Sequence, residues 1–468
     1  MDITANQFLQ SAVVALDDIQ LKTALDRGAK KADADRAASM AETSNAAALR
    51  QQARSARLRA LADLPALLEQ MERSVTARGG VVLWAEDAAE ANQHVLDICR
   101  RHGLKRGVKS KSMVTEETGL VPALAAAGIE MLETDLGEFI VQIDESHPSH
   151  IITPIIHMTR EKVRDLFVEK LGMPPIPDPV DPVYMTRFAR QLLRQRYLEA
   201  DFGMSGGNFM IAETGTVVVV ENEGNGRLST SMPPVHIAMV GIEKIVPTWE
   251  DFATLLQLLT RSATGQRLSV YVNLFNGPAD DGAGDGPDHY YLILVDKGRS
   301  RMYAGEYAEA LACIRCGACL NTCPVYQNVG GHSYGWVYPG PIGSIVTPLL
   351  VGPENAAPLP FASSLCGACK AACPVDINIP RMLLALRRDL QPQQGALWQA
   401  AMKSYAAAFS SPLLFELGER AASALSAAAG DVPFTQLPPP LDGWTASRDF
   451  PPFARQSFRD WWRENRES

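Results

Sequence analysis

Apolar and polar positions along this chain follow two different periods. Over residues 1–75 the apolar positions recur at helical spacing, as in Leu58, Leu61, Leu64, Leu67 and Leu68, so helices capping the next domain are expected. From Gly79 to about Asp296, short β-branched runs at 80–84 and 151–156 alternate with helical stretches at 88–101 and 160–171. Strand and helix in turn predict an α/β layer with a largely parallel sheet. The unbroken run from Thr216 to Glu221 suits a strand buried at the centre of such a sheet, and residues 222–226 end it with turn chemistry. Residues 277–286, dense in Gly and Asp, read as a flexible loop before a strand at 290–295.

Beyond residue 300 the pattern breaks up into Cys, Gly and Pro with short helical flanks such as 379–390. Residues 396–429 return to an Ala-rich helical pattern, while 431–440 and 450–453 are Pro-rich and expected to be extended. The adjacent Trp461 and Trp462 are expected to pack on their own domain. No apolar run approaches the ~20 residues of a membrane-spanning helix; 217–220 and 342–352 are too short or too broken. The N-terminus lacks a basic segment followed by an apolar one, so a cytoplasmic location is expected, with peripheral contact at the inner membrane face left open.

Composition narrows the class. Hydrophobic residues at 46% and charged residues at 21% exclude a disordered chain, and a net charge of -9 argues against a nucleic-acid backbone as partner. Of 8 cysteines, only Cys99 stands apart. Cys313, Cys316, Cys319 and Cys323 followed by Pro324 form C-x2-C-x2-C-x3-C-P, and Cys366, Cys369 and Cys373 followed by Pro374 repeat it without the first cysteine. In a reducing compartment such crowding means metal or redox chemistry. Three thiolates at this spacing wrap one iron-sulfur cube while the fourth reaches the neighbouring cube. Tetrahedral zinc fits poorly, because it would leave a cysteine of each motif idle.

Crossed ligation then assigns Cys313, Cys316, Cys319 and Cys373 to cluster one, and Cys323, Cys366 and Cys369 to cluster two. Two clusters, expected as 4Fe-4S, follow. Ser363 stands where the eighth cysteine would sit. A three-iron cluster, an oxygen or solvent ligand, and an unidentified fourth ligand all remain open, and Ser363 is not assigned as a ligand. The Gly- and aromatic-rich segment 329–343 is expected to shield the clusters, with His332 a hydrogen-bonded structural residue rather than a ligand.

At these residues the sequence resembles the lactate utilization protein B family. The resemblance runs through Glu133 to Glu138, Gly207 to Thr216, Cys313 to Pro324, Gly330 to Gly343 and Ser363 to Cys369, and so spans nearly the whole chain. It implies an α/β domain related to sugar-phosphate isomerase and CoA-transferase folds, followed by an α-helical ferredoxin-like domain. The family pattern itself has seven cysteines. The expected division is 1–75 helical, 76–298 the α/β lactate-utilization domain, 299–390 the ferredoxin-type domain, and 391–468 a helical and Pro-rich extension. The resemblance further implies an electron-carrying subunit of an L-lactate dehydrogenase system, with a cysteine-rich-repeat partner and a small lactate-utilization-domain partner.

No catalytic residue is carried over to the α/β domain. Glu133, Asp135 and Glu138 follow a short strand, where open α/β sheets bind ligands, and Asn208 and Glu213 adjoin Gly206 and Gly207. The bland reading of all five is turn and helix-cap chemistry. Arg227 with Ser229, Thr230 and Ser231 suits a carboxylate or phosphate, or equally a solvated loop. No Rossmann or Walker fingerprint supports a nucleotide cofactor. The alternative to electron transfer is that the α/β domain is itself an isomerase-like or transferase-like catalyst, the clusters being structural or regulatory; a scaffold assembled through residues 440–468 is a third.

Overall fold

A computed structural model of the chain describes residues 2–280, 285–393, 395–439 and 441–466. It divides into two compact units, one within residues 1–388 and one within 389–468.

In the first unit six strands form a wholly parallel sheet: β1 (Val81–Ala85), β2 (Arg106–Lys109), β3 (Glu130–Glu133), β4 (Phe202–Ser205), β7 (Val235–Gly241) and β10 (His289–Val295). Their order is β1-β10-β7-β4-β2-β3. The inner strands β7 and β10 carry apolar runs buried on both faces, as helices on either side require. The crossover helices are delimited by local chemistry. Asp87 caps Ala88–His102 by accepting from the Glu90 amide at 2.9 Å, and Gly103 ends it at φ 67°.

Two expectations are corrected. The run 216–221 is not in the parallel sheet. It is β6 (Thr216–Glu221) of a second sheet, antiparallel to β5 (Phe209–Ile211) on one side and β9 (Tyr271–Phe275) on the other, with β8 (Ile245–Val246) beyond β5. A strand covered on both faces carries the same apolar run in either kind of sheet. Residues 151–156 form turns instead of a strand. The buried His150 Nδ1 accepts from the amides of Ile152 and Thr153, both at 3.0 Å, and Pro154 has no amide to give, so the donors a strand would need are spent or missing. Of the 277–286 loop, residues 281–284 lie outside the described residues.

The N-terminal helices do more than cap the α/β layer. Leu25 of Ile19–Ala41 is fully buried in the same core as Cys316, Cys319 and Tyr326, and the Thr4 amide bonds the Gly335 carbonyl at 2.9 Å. The second unit holds the helices Ala396–Ser410 and Pro412–Ala428, with Tyr405 stacked on Phe409 at 4.2 Å, and a bridge between Phe434 and Phe450. The packing expected for Trp461 and Trp462 is limited: both stack on Phe458 within their own short helix and stay half-exposed. Among the described residues no helix is long and apolar enough to cross a membrane.

In the parallel sheet, His236 bonds the Ser205 hydroxyl at 2.9 Å and packs against Phe275 and Tyr290, and burial holds its pKa down at about 3. The unfolded chain takes up this proton below pH ~6.5 and the folded chain only near 3, so acid weakens the fold across that window. Between pH 7 and 5.5, urea denaturation of wild type should lose about 1 kcal/mol more stability than that of His236→Gln. Parallel losses would disprove the neutral buried imidazole.

Candidate metal centre

The two cysteine motifs fold alike. Cys316-Gly317-Ala318-Cys319 is preceded by Arg315 at φ 58° and turns at Gly317 (φ 76°); Cys366-Gly367-Ala368-Cys369 is preceded by Leu365 at φ 56° and turns at Gly367 (φ 83°). Each then enters a short helix, Ala318–Asn321 or Ala368–Ala372. Left-handed Arg and Leu cost of order 1 kcal/mol each, so the repeat is one of backbone conformation as well as spelling.

The structure sorts the thiols into two sets. Cys313, Cys316, Cys319 and Cys373 line one small cavity, closed by Ile151, Ile314, Ile342 and Val375. Cys313 Sγ accepts from the Arg315 amide and Cys373 Sγ from the Ile377 amide, both at 3.4 Å, while amides of Ala318 and Ile342 serve Cys316 and Cys319. The charges of Cys323, Cys366 and Cys369 act on one another, with Val325 and Tyr326 amides serving Cys323. Burial pushes the Cys373 thiol up to about 12 and Cys369 to about 11, whereas Cys366 is exposed and drawn down by the Ala368 amide and Ser364 hydroxyl. Buried thiols of this kind ionise only against bound cationic metal.

Four sulfurs around an apolar pocket, each met by a backbone N–H, fit an iron-sulfur cluster. Among the described residues no three His, Cys, Asp or Glu side chains converge on a point suited to a single ion; the four thiols surround a volume. Ser363 Oγ accepts from the Leu365 amide at 3.1 Å, supporting the left-handed turn. His332 Nε2 bonds the His147 carbonyl at 2.6 Å, and its ring lies 4.5 Å from that of His157. Tyr334, Trp336 and Tyr338 are buried beside the cysteine loops. Gly331 must be glycine, since a Cβ there would lie 1.7 Å from the Ser149 carbonyl oxygen.

Next to the first set lies a buried ionic layer that sequence reasoning missed. Arg299 bonds Glu243 at 2.5 Å and Glu117 at 2.7 Å, Arg315 lies 3.7 Å from Glu243, and the Tyr338 hydroxyl donates to Glu117. Arg57 donates to the carbonyls of Glu243, Ile245, Leu311 and Ala312. Burial opposes the charge on Glu243, yet Arg299, Lys244 and Arg315 hold its pKa down at about 2; burial also lowers Lys244 to about 8.

The α/β candidates do not form one site. Glu133, at the end of β3, pairs at 2.8 Å with Lys109, the fully buried last residue of β2 and also missed in the sequence; Glu138 lies 3.5 Å from Lys111. Burial, aided by Glu116 and Glu138 and opposed by Lys109, pushes the Glu133 carboxyl up to about 8. Glu116, Glu133 and Glu138 line a cavity of about 210 Å³. Asp135 only caps the next helix, accepting from the Glu138 amide at 3.1 Å. Asn208 Oδ1 accepts from the Val220 amide at 2.8 Å and Glu213 from the Trp249 amide at 3.2 Å, both away from that cavity. Arg227, Ser229, Thr230 and Ser231 lie on a helix, Asn225–Ser231, not in a loop; the Ser229 and Thr134 hydroxyls are 3.1 Å apart, while Thr230 and Ser231 bond back to Gly226 and Arg227.

Comparison with known proteins finds three family models along the chain. Residues 68–295 match the family model of the LUD domain, 309–377 that of the 4Fe-4S dicluster domain, and 391–467 that of the lactate utilisation protein B C-terminal region. The lactate utilization protein B of Geobacillus kaustophilus is 45% identical over 406 residues, spanning 86% of this chain and 85% of that one. The chain belongs to the lactate utilization protein B family. Its namesake in Shouchella clausii is 46% identical over 85% of this chain and 84% of its own length, and that in Bacillus velezensis 45% over 86% and 85%. A DUF162 family crystal structure from Deinococcus radiodurans, 15% identical, covers 50% of this chain and 98% of its own with a TM-score of 0.28.

For Glu243 and Lys244 the sequence carries a faint signal, a pair of charges inside an apolar run between Ile242 and Ile245. Arg299→Met leaves Glu117 and Glu243 buried without their cation. It should destabilise the chain by about 3–5 kcal/mol, and adding Glu117→Gln and Glu243→Gln should restore part of the loss in thermal melts. A melting temperature unchanged in the single variant would show that the layer contributes little.

Proposed function

We propose that this chain is the iron-sulfur electron-transfer subunit of a multi-protein system oxidising L-lactate to pyruvate, with Cys313, Cys316, Cys319 and Cys373 holding one 4Fe-4S cluster and Cys323, Cys366 and Cys369 holding a second. The observation that carries the reading is the sharing of one cavity by three thiols of the first motif and the last thiol of the second. The name of the family, and the dicluster model matched by residues 309–377, support it. Bound clusters would supply one-electron steps to a two-electron oxidation.

The chain's own residues make the two sets unequal. In the first set Cys316, Cys319 and Cys373 are buried, and Arg57, Lys244 and Arg315 act on Cys313, so positive charge offsets thiolate charge and favours the reduced state there. The second includes the exposed Cys366 near the exposed Phe361, a suitable point of exchange with a partner. The partners proposed are the cysteine-rich-repeat subunit and the small lactate-utilization-domain subunit.

A second reading rests on Lys109 and Glu133. Both are buried at the carboxyl ends of neighbouring parallel strands, and Glu133 Oε2 has no hydrogen-bond partner although it borders a cavity. On that reading the α/β domain is the catalyst.

Iron and sulfide counts with low-temperature EPR on anaerobic protein test the first reading. Cys316→Ser and Cys373→Ser should abolish the same signal, and Cys369→Ser the other; loss of one common signal in all three would refute crossed ligation. Dithionite should reduce the isolated chain, and L-lactate only when both partners are present. Reduction of the isolated chain by L-lactate would instead favour the second reading, under which Lys109→Met and Glu133→Gln must each cut turnover at least about 100-fold with both EPR signals intact.

A further inference from the structure

A cavity of about 1210 Å³ in the first unit borders neither set of thiols and does not include Lys109 or Glu133. It opens between the Pro182–Leu198 helix and the Asn225–Ser231 helix, beyond the end of β3 at Thr134. Its walls carry two chemistries.

One wall is cationic. Arg190 and Arg194, one turn apart on the longer helix, line the cavity together with Arg227 from the shorter one, and Arg187 extends the row into an adjoining hollow that Arg190 shares. Among the described residues none of these four guanidinium groups has an ion-pair or hydrogen-bond partner. Arg196, on the same helix but outside the cavity, does pair, with Glu130 at 3.2 Å. In a chain with 53 acidic residues against 44 basic ones, four unpaired arginines in one place are not the consequence of a general excess. Of the acids at the rim, Glu223 is engaged by the Leu136 amide at 3.0 Å, and Asp285 pairs with none of the arginines.

The other wall is apolar and open. Leu228, Met232 and Tyr271 line the cavity at 39%, 41% and 36% exposure. Tyr197, itself buried, lines the cavity beside Thr134, whose hydroxyl bonds that of Ser229 at 3.1 Å, giving a polar floor. An inorganic anion would use the arginines and leave the apolar wall wet. A flat anionic surface such as a membrane would not enter the concavity. An anion that carries its phosphates on a planar body uses both walls, because guanidinium forks match phosphate oxygens and an aromatic base seats on Tyr271 and its aliphatic neighbours.

We propose that this cavity is a binding site for a nucleotide with two or more phosphates, the phosphates held by Arg190, Arg194 and Arg227 and the base lying against Leu228, Met232 and Tyr271. Recognition rests on side chains and not on a glycine-rich loop, which is why the sequence shows no nucleotide fingerprint. The proposal is independent of the electron-transfer reading: the site would remain if the cluster assignment failed.

The test is calorimetric titration of the full, cluster-loaded chain under anaerobic conditions with ADP, NAD+ and coenzyme A, beside inorganic pyrophosphate and adenosine. At least one of the three nucleotides should bind in the micromolar range, with pyrophosphate and adenosine each about tenfold weaker or worse. Arg190→Glu with Arg194→Glu should weaken that nucleotide at least about tenfold at unchanged iron content, visible absorbance and melting temperature. Met232→Ala should weaken the nucleotide but not pyrophosphate. The proposal is overturned if none of the three binds below about 1 mM, if pyrophosphate binds as tightly as the nucleotides, or if the arginine variant keeps wild-type affinity. Binding of heparin or anionic vesicles without any nucleotide would also overturn it, making the row a docking surface for a polyanionic macromolecule.

Discussion

Arg299 between Glu117 and Glu243 is the contact on which the rest of the first unit depends. Glu117 lies on the helix that follows β2, Glu243 just after β7, and Arg299 just after β10, so one guanidinium gathers the segments that leave three strands at the carboxyl edge of the parallel sheet. Tyr338 and Arg315 join the same carboxylates from the cysteine-bearing segment. Arg57, from an N-terminal helix, reaches carbonyls on both sides at once. A buried ionic layer is weak evidence for net stability, since apolar side chains of like volume often do as well. What it supplies is position: each charge tolerates only one arrangement of its partners, and Cys313 is two residues from Arg315.

This layer explains why the α/β unit and the cysteine loops are continuous instead of two beads on a string. Ser149 carries the same logic at a second point, where its carbonyl accepts from the Tyr326 hydroxyl at 2.8 Å and leaves room only for Gly331. The helix Met113–Thr118 turns Glu116 toward Lys109 and Glu117 toward Arg299, so the two buried charge groups of the unit meet on adjacent residues. A change of charge on one side is thereby felt within one helical turn of the other, in surroundings too dry to screen it.

The grouping of the cysteines was legible because it is local: thiols two and three residues apart share a loop, whatever the rest of the chain does. The parallel α/β layer was legible from the alternation of periods. The sheet membership of 216–221 was not, because burial on both faces erases the difference between parallel and antiparallel neighbours, and 151–156 lost its strand to a single histidine that takes two amides. Lys109, Arg57 and Arg299 were invisible for a different reason. Each stands among other polar and charged residues, where it reads as one more solvated charge until its partner is known, and Arg299 finds Glu117 across 182 positions of chain.

The asymmetry of the two thiol sets follows from the same geometry. The set containing Cys373 is tied into the core, with Arg50 donating to the Cys373 carbonyl at 2.7 Å and the ionic layer behind Cys313, so its protein surroundings are fixed and low in water. The set containing Cys366 has one thiol fewer, and Ser363 spends its hydroxyl on the turn that presents Leu365. Cys366 is open to solvent where the set containing Cys373 is enclosed by apolar side chains. One repeated backbone turn thus presents its cysteines in two different surroundings, and Ser363, where the eighth cysteine would stand, lies on the more exposed side.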